Sequence, residues 1–315
     1  MFRNETAELE SAIEQGDLET LDAFLFPRRR TLNRRSGWHA PLMLSAHRVK
    51  HLSKIPSLKT DCVMLNLEDG VSPGLKPAAL RMAALALSRL PQCEKKLVVR
   101  VNPLDEGGEE EIGILNAFMP DAIRIPKVRS EADVKRALAL VEAPIEVHLS
   151  VETAEAWLAL ERLRPDPRVT VFYLGILDLF ADMGLDQKLI DFDNPVLHYM
   201  LSRFLTVSRA LGVKPVSFVF QEYRDLDAFE WWLTLEKRMG FDAKGCISPA
   251  QAEKAMAVFS RSDESLSRAK EIVALFEAAR AGGVTGFSHE RYGFIDEPVY
   301  KGALAMLKKD GHAAP

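Results

Sequence analysis

Eight short apolar runs, separated by segments long enough for helices, constrain this chain more than any other feature of its sequence. They occupy residues 42–46 (LMLSA), 62–68 (CVMLNLE), 96–102 (KLVVRVN), 122–128 (AIRIPKV), 145–151 (IEVHLSV), 169–175 (VTVFYLG), 216–220 (VSFVF) and 245–248 (GCIS). Most are continuous rather than alternating, the pattern of strands covered on both faces. Helical patterns lie between them. Ser130 stands as an N-cap at the head of SEADVKRALALV, and YRDLDAFEWWLTLEKRMG stops at Gly240. Strand and helix in alternation predict an α/β fold with a parallel sheet. Eight repeats favour closure into a (β/α)8 TIM barrel over a doubly wound open sheet. The expected organisation is an N-terminal helical, basic extension over 1–36, the barrel over 37–260, and a C-terminal helical lid over 261–315, with Gly282 and Gly283 as a hinge.

Composition excludes several classes. A chain of 315 residues, 47% of them apolar, buries a sizeable core. A net charge of -4 gives no general attraction to nucleic acid or to an anionic membrane. No apolar run nears the ~18–20 residues that span a bilayer, and MFRNETAELE lacks the apolar stretch of a secretory signal. Cys62, Cys93 and Cys246 show no paired spacing, so neither a disulfide framework nor a cysteine zinc site is expected, and a reducing cytoplasm is. The histidines form no HExxH pair, and only His47 and His51 have the HxxxH spacing. Glycine-rich nucleotide motifs and the G-x-S-x-G elbow are absent.

In a barrel of this kind the chemistry sits at the carboxyl ends of the strands. Glu152 ends the fifth run and Asp178 follows the sixth. Neighbouring strands lie about 4.8 Å apart, so these carboxylates can converge, and two hard oxygen donors suit Mg²⁺. Arg100, in VVRVNPL, ends the third run and offers a fork for a carboxylate. Glu68 and Asp69, in NLEDGV, are placed to hold that arginine and orient metal-bound water. Plainer readings stand beside these. Asp178 reads equally as a cap for the helix that begins near Leu179, and Arg100 as a partner of Glu68 or Asp69. His148 reads as a satisfied interior residue. His47 and Arg48 read as anion contacts or as exposed loop. Arg28, Arg29, Arg30, Arg34 and Arg35 read as a phosphate contact or as a solvated or subunit-facing surface.

The stretches LEDGVSPGLKPAAL, VVRVNPL, IPKVRSEADV, VETAEA, LGILDLFADMGL, MGFDAKGCISPAQ and FIDEPVYKGAL, in this order, resemble the citrate lyase β-subunit and malyl-CoA lyase family of the HpcH/HpaI aldolase superfamily. The likeness runs from about residue 42 to 307. It implies a Mg²⁺-dependent carbon–carbon lyase that cleaves or forms a 3-hydroxyacyl-CoA thioester such as citramalyl-, malyl- or citryl-CoA through an enolate. By position it implies Glu152 and Asp178 as metal ligands, and Arg100 as the group that binds the oxo-acid carboxylate and developing oxyanion. Asp296, in FIDEP, matches an acid/base carried on a C-terminal lid, often from a neighbouring subunit. Glu68 and Asp69 complete the catalytic set, and Arg48 and Lys127 are the candidates for cofactor binding. The implied partners are an oxo acid and an acyl-CoA, in a homo-oligomer such as a trimer or hexamer. The chain departs from the family pattern at Ser45 and Asn66, where proline and aspartate are usual, and at Ala243 and Ser248, where glycine and histidine are usual. Two other readings stay open: an aldolase or hydrolase of a CoA-free oxo acid, and a binding subunit that keeps the metal site without turnover. Taken alone, DEP before an amphipathic run makes Asp296 a helix cap.

Overall fold

The computed structural model describes residues 1–2, 4–26, 29–33, 37–260 and 263–309; Arg28, Arg34 and Arg35 lie outside the described residues. Seven strands form one parallel sheet in sequence order: β1 (Leu42–Ser45), β2 (Cys62–Asn66), β3 (Lys96–Arg100), β4 (Ala122–Ile125), β5 (Glu146–Val151), β6 (Val169–Leu174) and β7 (Lys214–Val216); the first six fall on predicted runs, whereas β7 shares only Val216 with the run expected at 216–220. The eighth run forms no regular strand. Instead Lys244 bridges to Ser217, beyond β7, and Cys246 bridges to Leu42 in β1. Ser217 N donates to the Ala243 carbonyl at 3.0 Å, and Met43 N to the Cys246 carbonyl at 2.8 Å. The sheet is thus curled until its first and last strands share one segment. That segment is tied down by a buried ion pair. Lys244 Nζ lies 2.5 Å from Glu236 Oε1 on helix Leu226–Met239, and Ser217 Oγ donates to the same oxygen at 2.7 Å. Losing one member of such a pair leaves an uncompensated buried charge, so the three groups hold their register together.

Most strands feed two cores. Leu65, Val99, Ile123, Leu149 and Phe172 join the large core beneath the helices, whereas Met64, Val98, Ala122, Val171 and Tyr173 pack with one another inside the curl. Side chains alternate as in any strand, yet both sets are buried, which is why the sequence shows continuous apolar runs. The positions in step with the inner set also carry Lys96, Arg100, Arg124, His148 and Ser150, all buried. The predicted Ser130 cap is present: its side chain accepts from Asp133 N while Asp133 answers with a reciprocal bond, starting helix Glu131–Leu140.

The chain divides into two compact units, residues 1–33 with 38–259, and residues 34–37 with 260–315. Helices Thr6–Gln15 and Leu18–Ala23 therefore do not stand apart as an extension; Leu9, Ile13 and Leu21 enter the large core. Arg30 corrects the surface reading of its run. It is buried, paired with Asp121 at 3.2 Å, and its Nε donates to the Leu90 carbonyl. Arg29 is exposed and pairs with Glu142. The second unit is not wholly helical. Between helix Asp263–Ala281 and helix Glu297–Lys309 it carries an antiparallel hairpin, β8 (Gly286–His289) and β9 (Gly293–Asp296), with Phe287 opposite Ile295. Ile295 packs with Val273, Phe276 and Ala303 in a core of its own. Among the described residues no helix is long and apolar enough to cross a membrane.

Candidate active site

A cavity of about 310 Å³ opens at the carboxyl ends of the strands, lined among others by Asp69, Arg100, Arg124, Glu152, Asp178 and Gln221. Arg100 ends β3, and Glu152 and Asp178 follow the ends of β5 and β6, whereas Arg124 lies within β4. Glu152 directly follows β5 and is 4% exposed. Its Oε1 accepts from Lys127 N at 2.8 Å. Lys127 has φ 51, a left-handed backbone that a residue with a Cβ holds only when its surroundings impose it. The same residue sends Nζ to Asp178 Oδ1 at 2.6 Å. Burial works against the Lys127 charge, but Asp178 and Glu152 outweigh it and raise its pKa.

Neither carboxylate is a helix cap. Thr153 caps helix Ala154–Leu158 through Ala156 N, and Gly175 occupies the N-cap of helix Ile176–Asp182. Gly175 has a second role. A Cβ there would lie 2.5 Å from Glu152 Cβ and 2.6 Å from its Oε2. The missing side chain is the space in which Glu152 lies.

Arg100 and Arg124 are register partners on β3 and β4. Arg100 forms an ion pair with Glu68, and its Nη2 sits 3.5 Å from Asp69 Oδ2. Nη2 is the atom that meets Glu68, so of the two buried nitrogens only Nε is left without a partner among the described residues. Burial, and then the charge of Arg124, pull its pKa down to about 10, so it stays cationic at neutral pH. The loop before it depends on Asn66. The amide donates to the Asp69 carbonyl at 2.5 Å and accepts from Glu68 N at 3.3 Å. Aspartate, ionised, has no such donor.

Glu152 and Asp178 follow adjacent strands and present hard oxygen donors, and Asp178 already takes one cation, the Lys127 ammonium. Among the described residues no cluster of three or more His, Cys, Asp and Glu suits a metal ion. A cation held here would draw its other ligands from water and substrate. That matches Mg²⁺, which keeps several waters, and not structural zinc.

The sequence model of HpcH/HpaI aldolase/citrate lyase matches residues 40–249. The chain belongs to the HpcH/HpaI aldolase/citrate lyase family. It is 31% identical over 243 residues to a (3S)-malyl-CoA thioesterase of Cereibacter sphaeroides, covering 77% of this chain and 84% of that one. It is 27% identical over 285 residues to the mitochondrial citramalyl-CoA lyase of Homo sapiens, covering 84% and 83%. Among solved structures, the protein CitE from Mycobacterium tuberculosis in complex with magnesium, acetoacetate and coenzyme A superposes with a TM-score of 0.68 at 26% identity, covering 88% of this chain and 99% of that one.

In this member of the HpcH/HpaI family the fold gathers Glu68, Asp69, Arg100, Lys127, Glu152 and Asp178. It does not bring Arg48 to them. Arg48 lines a separate cavity of about 420 Å³ with His47, Lys50, His51, Glu10 and Glu14. The two residues assigned to cofactor binding are thus apart, and Lys127 is committed to the carboxylate pair. Asp296 belongs to the second unit, where its Oδ1 accepts from Val299 N at 3.2 Å at the start of helix Glu297–Lys309. His148 is the satisfied interior residue expected of it, with Nδ1 3.3 Å from Tyr173 Oη and Nε2 3.4 Å from Glu146 Oε2. Arg124 and Gln221 are cavity residues that sequence reasoning missed. For Arg124 the signal was a charge in the middle of the apolar run AIRIP.

Proposed function

We propose that this chain is a Mg²⁺-dependent carbon–carbon lyase of 3-hydroxyacyl-CoA thioesters, built on a (β/α)8 barrel that closes through residues 243–246. The observation that carries the reading is the meeting, in one cavity, of the Arg100 guanidinium and a carboxylate pair set up for a cation. Membership of the family supports it, as do the citramalyl-CoA lyase relative and the magnesium and coenzyme A in the similar crystal structure. The two bridges that join β1 and the end of β7 to residues 243–246 support closure.

In the cleavage direction the substrate hydroxyl gives its proton to solvent water and becomes a carbonyl. The carbon–carbon bond to the acyl α-carbon breaks, and its electron pair passes into a thioester enolate. That carbon then takes up a proton. Glu152 and Asp178 would hold Mg²⁺, which when bound supplies positive charge to the hydroxyl and carboxylate oxygens. Arg100 binds the oxo-acid carboxylate through its guanidinium fork. Glu68 keeps that guanidinium in place. Lys127 aims Glu152 through its backbone N–H. Asp296, carried on residues 261–315 as a lid over residues 37–260 of a neighbouring subunit, protonates the α-carbon. A trimer or hexamer is part of this proposal, and sedimentation checks it.

The test is direct. The purified chain is given citramalyl-, malyl- and citryl-CoA with and without Mg²⁺, and products are read by mass spectrometry. Release of an oxo acid with a shortened acyl-CoA, lost in Glu152→Ala and Asp178→Ala, is the expected result; no carbon–carbon cleavage of any thioester would overturn the reading. The 31% identical relative favours one alternative, hydrolysis of the thioester. In that case free coenzyme A appears with an intact hydroxy acid.

A further inference from the structure

The cavity contains a cation that the reaction above leaves without a task. Arg124 is 6% exposed and lines the cavity beside Arg100. Its contacts are all with neutral groups: Nε donates to Ser150 Oγ at 2.8 Å, Nη1 lies 3.4 Å from Met64 Sδ, and the guanidinium stands 4.2 Å from the centre of the Tyr173 ring. No carboxylate among the described residues forms an ion pair with it, and its Nη2 makes no hydrogen bond among them. Glu152 and Asp178 attract it from a distance, but Asp178 is taken by the Lys127 ammonium. A buried charge without a counter-ion is costly and is seldom retained without one. Arg100 and Arg124 occupy partner positions on strands about 4.8 Å apart, so two cationic forks face one cavity. Ser150 and Tyr173 fix the second fork from the side and from the ring face. The arrangement is built before any ligand arrives.

We propose that Arg124 binds a second carboxylate of the substrate, so that the oxo acid released or taken up is a 2-oxodicarboxylic acid. This rests on the lyase reading for its chemistry, while its binding selectivity needs no turnover. Arg100 takes the carboxylate next to the oxo group, and Arg124 takes the distal one.

Isothermal titration of the Mg²⁺-loaded chain tests it, with oxaloacetate and 2-oxoglutarate compared against pyruvate and 2-oxobutyrate. One dicarboxylate should bind at least about tenfold more tightly than its monocarboxylate counterpart, the contribution of one charge-assisted hydrogen-bonded pair. Arg124→Met should lower that ratio by about 10–100-fold, and Arg124→Lys, which keeps charge without the fork, should fall between. If Arg124→Met does not fold, Arg124→Gln is read on the same criterion. A wild-type chain with no preference for dicarboxylates overturns the proposal. So does a variant that weakens both acid classes by the same factor, because Arg124 would then serve only as a counter-charge for Glu152 and Asp178. A chain that cleaves no hydroxyacyl-CoA but shows the preference loses the lyase reading and keeps this one; a lyase without the preference does the reverse.

Discussion

At the scale of single residues, the site is decided by which buried charges have partners. Arg100 is held by Glu68 and lines the cavity. Lysine in its place would offer one compact, strongly hydrated charge in place of a planar fork. Arg100→Lys is expected to lower kcat/KM by about a hundredfold, some 2–3 kcal/mol of carboxylate recognition; steady-state kinetics checks this, and an unchanged value removes Arg100 from the role. His148 supplies a prediction on pH. Burial lowers its pKa from 6.5, Glu146 opposes this, and Lys96 and Arg124 add to it. Below about 6.5 the unfolded chain binds a proton that the folded chain refuses. Stability should therefore be full above pH 6.5 and fall as pH drops below it, by at most about 1.4 kcal/mol per pH unit for this group. Urea unfolding at pH 7.5 and 5.5 reads the slope, and His148→Gln should flatten it. Equal slopes in the two proteins would rule out His148 as the source.

At the scale of elements, β3, β5 and β6 deliver their polar groups at the point where the ladder ends. Arg100 is the last residue of β3, Glu152 follows β5, and Asp178 lies in the first turn of the helix after β6. The close approach of two such ends is what Gly175 permits. Gly175→Ala places a methyl 2.5 Å from Glu152 Cβ, an atom fixed by its own backbone that cannot rotate away. The expected outcome is a stability loss of about 1–3 kcal/mol from overpacking, with Mg²⁺ affinity falling because Glu152 is displaced. Calorimetry measures both, and wild-type affinity in the variant would show that Glu152 does not ligate the metal.

At the scale of the whole molecule, the two compact units have separate cores. Turnover on the proposed mechanism needs both, because the acid is carried by the second. Asp296 caps helix Glu297–Lys309, and asparagine caps as well as aspartate. Asp296→Asn should therefore leave the melting temperature unchanged and reduce turnover by about 10²–10⁴. Near-normal turnover would leave Asp296 as a cap and nothing more. Mixing Asp296→Asn with Glu152→Ala should restore part of the activity if one subunit's lid serves another's barrel; two inactive variants that stay inactive together would place the lid over its own subunit.

The sequence by itself determined the parallel strand–helix alternation, the N-cap at Ser130, the stop at Gly240, and the set Glu68, Asp69, Arg100, Glu152 and Asp178. These were legible because period, caps and strand ends are local properties, and because a charge at the end of an apolar run stands out. Tertiary structure alone decided which face of each strand looked inward. Where both faces are buried, apolar periodicity vanishes, so Arg124 and His148 gave no sign of sharing an interior with Tyr173. Arg30 looked like surface because its partner, Asp121, lies 91 residues away. GCIS looked like an eighth strand, yet its neighbour Lys244 is held by Glu236, and only isolated bridges remain. In each case local chemistry names a charge. Only long-range pairing determines whether that charge meets water, a carboxylate or a ligand.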